Sequence, residues 1–429
     1  MTGSKRRNFK KHSSKGTRIT MFLDGVSEFS IDKLTVEDVL YSFDWRNYEK
    51  YFDPQKILAY LEKHSKLFEE EILSQVFCPN CKSSSVKEIG DNSGGSKKYY
   101  RCLDCKRKFK PNSFVKSHFS DWVIPSILCC VVKGEKPQDI VRALITEATN
   151  RRLDFGCKEK IPDEKTLYDI IEKCARKFEK FNDLMIRLIG GLQCKKLFCD
   201  DLFARRRRRR QKIPHFKRKS TKKPKRFYYA ILTMDADFDF IIVLHIARFR
   251  DKCAFRVAFA ETEEKLRNLP DVIRGDKLSA MEKAAESHFP KNEVKHDFRQ
   301  LKPWEKGELN KIERRIRDVR RTIRKRQKSG SIRVLENYAK IALIGLDYLK
   351  PMDKALKGKS PAQAVGIPYP LYQWDWRKFM IWVDWVFGHV PEILKAGLKQ
   401  IPETSLVPSV ESNEKIFVER MKLKKRKKR

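Results

Sequence analysis

The sequence predicts a multidomain α/β protein, with a mixed-sheet core preceded by a small cysteine-paired module and a helical region. Three observations predict it. At 429 residues and 41% hydrophobic, the chain is too long for one ordinary domain and can bury at least one large core. From residue 195 onward, short β-branched and aromatic runs alternate with helical periodicity. Before that point, two Cys-x-x-Cys pairs stand in a turn-rich stretch.

Taken in order, residues 1–29 are expected to form a disordered basic arm. "MTGSKRRNFKKHSSKG" carries charge but lacks the apolar stretch of a secretory signal. Residues 30–76 ("VEDVLYSF", "PQKILAYLEKHSKLFEEEILSQV") have the period of two or three small helices. In 77–112, Cys78-x2-Cys81 and Cys102-x2-Cys105 lie 20 residues apart. Each pair presents two thiolates to one tetrahedral ion, and a Gly-Gly turn lies between candidate strands. This is the zinc-ribbon pattern, and a full cysteine shell leaves no open position for catalysis, so the Zn²⁺ is structural.

Residues 113–190 return to amphipathic helices, broken at "KGEKPQD" and "RRLDFGCKEKIPDE". Pro162, Asp163 and Glu164 mark a helix start, with the proline expected in the first turn. "IPSILCCVVKGEKPQDIVRALI" and "DEKTLYDIIEKCARKFEKF" fit a DNA-reading helix-turn-helix with an extended linker, and equally two neighbours in a bundle. Residues 195–345 form the expected core. "KKLFCDDLF", "RFYYAILTMD" and "FDFIIVLHIARF" read as strands, "KCAFRVAFAETEEKLRNL" as helix and "PDVIRGD" as a strand ending in an acid. "KLSAMEKAAESHF" then reads as helix and "NEVKH" as strand. The insert 204–226 is low-complexity and basic, either a solvated loop or a grip on nucleic acid. Residues 346–429 are a C-terminal helical region with a basic tail. Its aromatic run "YQWDWRKFMIWVDWVF" is expected to be core or a self-association surface.

With 95 basic against 56 acidic residues, the net charge of +39 calls for a polyanionic partner such as a phosphate backbone, and an anionic membrane surface would satisfy the same charge. A bilayer-spanning segment is excluded, because the longest apolar run, "WVIPSILCCVV", falls short of the roughly 20 residues required. Of eleven cysteines, an odd number, seven are scattered singly or as the pair Cys129–Cys130 and make no disulfide framework, so a reducing, cytoplasmic setting is expected.

Four acids stand out. Asp200 and Asp201 end one expected strand, Asp276 ends another, and Glu313 opens a helix. Acids delivered from two strands and a helix can hold two divalent cations, with Mg²⁺ favouring such oxygen ligands. In that helix Ile312, Ile316, Val319 and Ile323 form a core-facing stripe. One residue on, Glu313 shares a stripe with Arg317, Arg320 and Arg324. An i,i+4 salt bridge from Glu313 to Arg317 is the simplest account of that acid. A metal ligand set beside phosphate-gripping guanidiniums is the alternative.

Residues 195–368 resemble the DDE transposase and integrase core of prokaryotic insertion sequences. "LFCDDL" resembles that family's first-aspartate strand, "VIRGDKLSAMEKAAESHFP" its second-aspartate segment and "LNKIERRIRDVRRTIRKRQ" its Asn-x-x-Glu helix. "ALKGKSPAQAVGIPY" resembles its closing segment, and the 36 residues between Asp276 and Glu313 agree with its usual spacing. The resemblance implies an RNase H-like core in which Asp200, rather than Asp201, joins Asp276 and Glu313 in holding two Mg²⁺ ions, with Mn²⁺ as a substitute. It implies a transposase that cleaves DNA at transposon ends and transfers the freed strand to target DNA, working as a dimer or larger assembly. Arg317, Arg320 and Arg324 would position the DNA backbone. Two other readings stay open: an inactive or domesticated zinc-ribbon DNA-binding protein, and an RNase H-like nuclease without strand transfer.

Overall fold

The computed structural model describes residues 21–23, 26–29, 35–41, 51–68, 78, 83, 85–89, 100–109, 119, 122–155, 160–205, 227–298, 306–324, 331–351, 358–370 and 375–399. Cys81, residues 1–20 of the basic arm, most of the basic insert and the C-terminal tail lie outside the described residues. The elements begin with β1 (Met21–Leu23), β2 (Val26–Phe29), α1 (Val36–Tyr41) and α2 (Pro54–Lys66). Next are β3 (Val86–Glu88), β4 (Tyr100–Cys102), β5 (Lys108–Phe109), α3 (Val123–Val132), α4 (Pro137–Phe155) and α5 (Glu164–Leu188). The central stretch supplies β6 (Lys196–Arg205), β7 (Phe227–Asp235), β8 (Ile241–Ala247), α6 (Lys252–Lys265), β9 (Val272–Gly275), α7 (Ser279–Ala285) and β10 (Lys295–Phe298). After α8 (Lys306–Arg324), α9 (Ile332–Ile344) runs into a π-helical turn, Gly345–Leu349. Then come α10 (Pro361–Ala364), α11 (Trp376–Gly388) and α12 (Val390–Gly397).

A five-stranded mixed sheet in the order β10-β9-β6-β7-β8 organises the core. β6 pairs antiparallel with β7, and β7 with β8, whereas β9 runs parallel to β6 and β10 parallel to β9. β6 is therefore a central strand, and consecutive residues Leu197, Phe198 and Cys199 are all buried, as a strand covered on both faces requires. The β7–β8 turn closes on Asp235, whose Oδ1 accepts from the backbone N–H groups of Asp237 and Phe238 at 2.8 and 3.1 Å.

Helices cover this sheet. α6, capped by the Asp251 carboxylate accepting from Ala254 N–H at 2.9 Å, packs on β7 and β8. α9 also packs on β8, and α8 packs on β6. α5 is a hub: residues from Leu167 to Leu188 bury a continuous face that meets α9, α1 and α4. Pro162 precedes this helix rather than entering its first turn, because Asp163 is the N-cap and accepts from Thr166 N–H at 2.7 Å. The second helix of the expected helix-turn-helix is thus committed along one face to the protein interior. The aromatic run of α11 is core: Trp376 and Trp382 are fully buried, and Phe379 packs against Phe178 and Phe181.

Two features differ from the segmented expectation. Residues 21–29, assigned to the basic arm, hold the antiparallel β1–β2 pair. The N-terminal helices, the 113–190 region and the C-terminal helices also share one hydrophobic cluster with the sheet, from Val36 to Leu394. Apart from it stands the antiparallel sheet β3-β4-β5, with a cluster of its own around Cys78 and Cys102.

Candidate active site

β6 and β9 lie side by side and parallel, with Phe198 against Arg274 and Cys199 against Gly275. One step further along each strand stand Asp200 and Asp276. Two carboxylates therefore leave neighbouring strands at the same level. Strand order reverses here, since the chain leaves β6 toward β7 and returns on its other side as β9. Asp276 follows the end of β9 as expected, but Asp200 and Asp201 do not end their strand: β6 continues to Arg205 because it stays paired with β7 as far as Phe227.

Gly275 permits this approach. A Cβ there would lie 2.8 Å from the Cys199 carbonyl oxygen and 2.6 Å from Met281 Sδ. Burial, and next the Asp276 charge, push the Asp200 carboxyl up to about 7. Asp201 differs. Its side chain is 1% exposed and its Oδ1 accepts from Arg250 Nη2 at 2.6 Å. Burial raises its pKa while Arg250 opposes that shift. The Asp201 N–H also donates to Asp200 Oδ1 at 2.6 Å. The Asp276 charge acts on both adjacent acids, and of the two it is Asp201 that pairs with the Arg250 guanidinium.

Glu313 is exposed on α8, the helix that packs against the Asp200 strand. The charges that dominate at Asp200 belong to Asp276, Asp201 and Arg250, and Glu313 is not among them. Among the described residues no ion pair joins Glu313 to Arg317, so the expected salt bridge does not account for this acid. Arg317 is exposed and Arg320 half-buried, while Ile316 and Val319 face the core. The side chains of Ile312, Ile323 and Arg324 lie outside the described residues.

Sequence reasoning missed what fixes this helix. Arg315 is 1% exposed, and its Nε donates to Asp239 O at 3.0 Å and its Nη1 to Leu346 O at 3.3 Å. Its Nη2 lies 3.8 Å from Asp347 Oδ1 in the π-helical turn, an oxygen that also accepts from Ile241 N–H at 3.2 Å. Burial pushes the Asp347 carboxyl up to about 8 against the pull of Arg315. Two turns along, Thr322 Oγ1 donates to Val132 O at 2.7 Å. Arg315 and Thr322 share the helix face of Ile316 and Val319, so the periodicity that marked the isoleucines also marked these two as buried.

In the small sheet, the Sγ atoms of Cys78, Cys102 and Cys105 lie within 4.8 Å of one another, with Cys78 and Cys105 at 3.5 Å. Thiolates 2.3 Å from one tetrahedral zinc stand about 3.8 Å apart, so this donor set fits that ion. In the turn, Cys105 N–H donates to Cys102 Sγ at 3.4 Å, and Lys106 takes the left-handed conformation, φ 58°.

No protein-family model matches the chain, and no curated protein matches it. Among solved structures, partial likeness is found to the Mos1 strand transfer complex, with TM-score 0.16 and 10% identity over 43% of this chain and 58% of that one. The Mos1 transposase paired-end complex with the left transposon end gives 0.15 and 9%, over 43% and 59%. A pre-cleavage Mos1 transpososome gives 0.19 and 8%, over 67% and 81%. The chain spans less than two thirds of the first two. Overlaps this weak carry no argument, and the functional reading rests on the geometry. Among the described residues no helix is long and apolar enough to cross a membrane.

Proposed function

We propose that the chain is a metal-dependent DNA phosphoryl-transfer enzyme, a DDE transposase of an insertion sequence acting in the cytoplasm. It cuts a strand at a transposon end and joins the freed 3′-hydroxyl to target DNA. The observation that carries this is the Asp200–Asp276 pair, Asp200 within β6 and Asp276 just past the end of the neighbouring parallel strand β9. The charge of exposed Asp276 acts on half-buried Asp200, and a divalent cation relieves such repulsion. Asp200, Asp276 and Glu313 would hold Mg²⁺, or Mn²⁺ in its place. When bound, two such ions activate the attacking hydroxyl and stabilise the leaving oxygen.

The chain's own residues do the rest. β6 and β9 set the spacing of the two aspartates, and Arg250 keeps Asp201 out of the site by pairing with it. α8 offers Glu313 with Arg317, Arg320 and Arg324 along one stripe, so a DNA backbone gripped by guanidiniums lies beside the third acid. The cysteine module would hold structural Zn²⁺ and contact the transposon ends, and a net charge of +39 supports DNA as the partner. A dimer or larger assembly would bring two ends together.

Asp276→Asn and Glu313→Gln, assayed with Mg²⁺ on duplex DNA carrying the element's terminal repeat, should keep DNA binding and lose strand cleavage. Wild-type cleavage by either variant overturns the assignment. Supplying a pre-cut end with a free 3′-hydroxyl and finding no joining would leave a nuclease without strand transfer.

A further inference from the structure

We propose that Phe249 is a stacking platform for an unpaired DNA base at the edge of the carboxylate site. The proposal deepens the reading of the chain as a DNA-processing enzyme and rests on it.

Phe249 follows β8 directly and is 68% exposed, the most exposed of the large hydrophobic side chains among the described residues. A phenylalanine ring offers a large apolar face, and leaving it in water is unfavourable unless something covers it. Its neighbours identify the cover. Arg248 is exposed on one side, and the first turns of α6 add Lys252 and Arg256, both exposed. Exposed Cys253 and Val257, the latter at 43%, extend the apolar surface at helical spacing. An apolar protein partner would not call for the three exposed cations that flank Phe249 in the chain. A nucleotide, with a flat base and an anionic backbone, uses both.

Position ties this platform to the chemistry. Arg250, the next residue, bonds Asp201 at 2.6 Å, and the Asp201 N–H bonds Asp200. The Phe249 backbone is therefore one residue from a side chain that holds Asp201, the neighbour of Asp200 in β6. A duplex held at Asp200 and Asp276 has its bases stacked on one another, so only a base freed at a nick, end or overhang can lie on the ring.

The test is binding by fluorescence anisotropy in EDTA, which removes cleavage from the measurement. Blunt duplex is compared with duplex bearing a short 3′ overhang that contains 2-aminopurine. Wild type should prefer the overhang, with 2-aminopurine fluorescence quenched on binding. Phe249→Ala should weaken overhang binding about tenfold, abolish the quench and leave blunt-duplex binding and the thermal midpoint unchanged. Phe249→Trp should retain both. Equal binding of the two DNAs by wild type, or unchanged overhang binding by Phe249→Ala, overturns the platform while leaving the catalytic reading intact. A wild-type protein that binds neither DNA overturns both.

Discussion

Gly275→Ala tests the geometry of the acid pair without touching either acid. The added methyl would sit 2.8 Å from the Cys199 carbonyl, 2.6 Å from Met281 Sδ and 3.1 Å from Phe298 Cε1, whereas ordinary contact begins at 3.4 Å. Met281 can turn its thioether aside. The Cys199 carbonyl belongs to the backbone of β6, paired in register with Gly275, so strand must move from strand by roughly half an ångström or more. Overpacking of this kind costs about 1–3 kcal/mol. Asp200 and Asp276 are the next residues on those strands, so the separation falls where metal ligands need their spacing kept. A displacement of about 1 Å costs on the order of a hundredfold in rate. Half that shift should lower Mg²⁺-dependent cleavage about tenfold and raise the Mg²⁺ concentration for half-maximal rate. Urea unfolding and a Mg²⁺ titration of cleavage measure the two effects. A variant with wild-type stability and wild-type Mg²⁺ dependence would refute the argument that this glycine sets the acid pair.

Asp347 makes a pH prediction. Its carboxyl ionises near 3.8 when unfolded and at about 8 in the fold, so between those values the native state holds the extra proton. This contribution to stability is full below pH 3.8 and declines as pH rises toward 8. Asp347→Asn mimics the neutral acid, should be at least as stable as the wild type at pH 7, and should flatten the fall of stability across that window in urea titrations. A metal prediction concerns the cysteine module: chelation should expose the amides of β3, β4 and β5 to hydrogen exchange and weaken DNA binding, with protection of β6 unchanged. Protection retained in β4 after chelation would refute a zinc-dependent fold.

Much of the core was legible because its signals are local. The apolar runs marked β6, β7 and β8, a turn cluster marked the β7–β8 connection, and the spacing of Ile316 and Val319 oriented α8. What was not legible depends on residues far apart in the chain. Asp200 and Asp201 are equivalent until Arg250, 49 positions later, takes one of them. Arg315 looked like one more cation on a basic helix because its acceptors, Asp239 and Leu346, lie 76 and 31 positions away. Asp347 gave no warning of burial, since nothing nearby in the sequence announces a π-helical turn. For the same reason α2, α5 and α11 read as separate segments, although they share one core.

The meeting of α2 with α12 has a consequence for how the chain is made. Phe52 bridges Leu398, Asp53 N–H donates to Gly397 O at 2.7 Å, and Gly397 approaches so closely that a Cβ would overlap Ile57. These partners are about 350 residues apart, so on a ribosome α2 waits for nearly the whole described chain to emerge before this cover arrives. Until then the Ile57 side of α2 stays open to other hydrophobic surfaces in the cell. Newly made chains stalled before residue 397 should therefore bind chaperones through α2, and completion of α12 should release them.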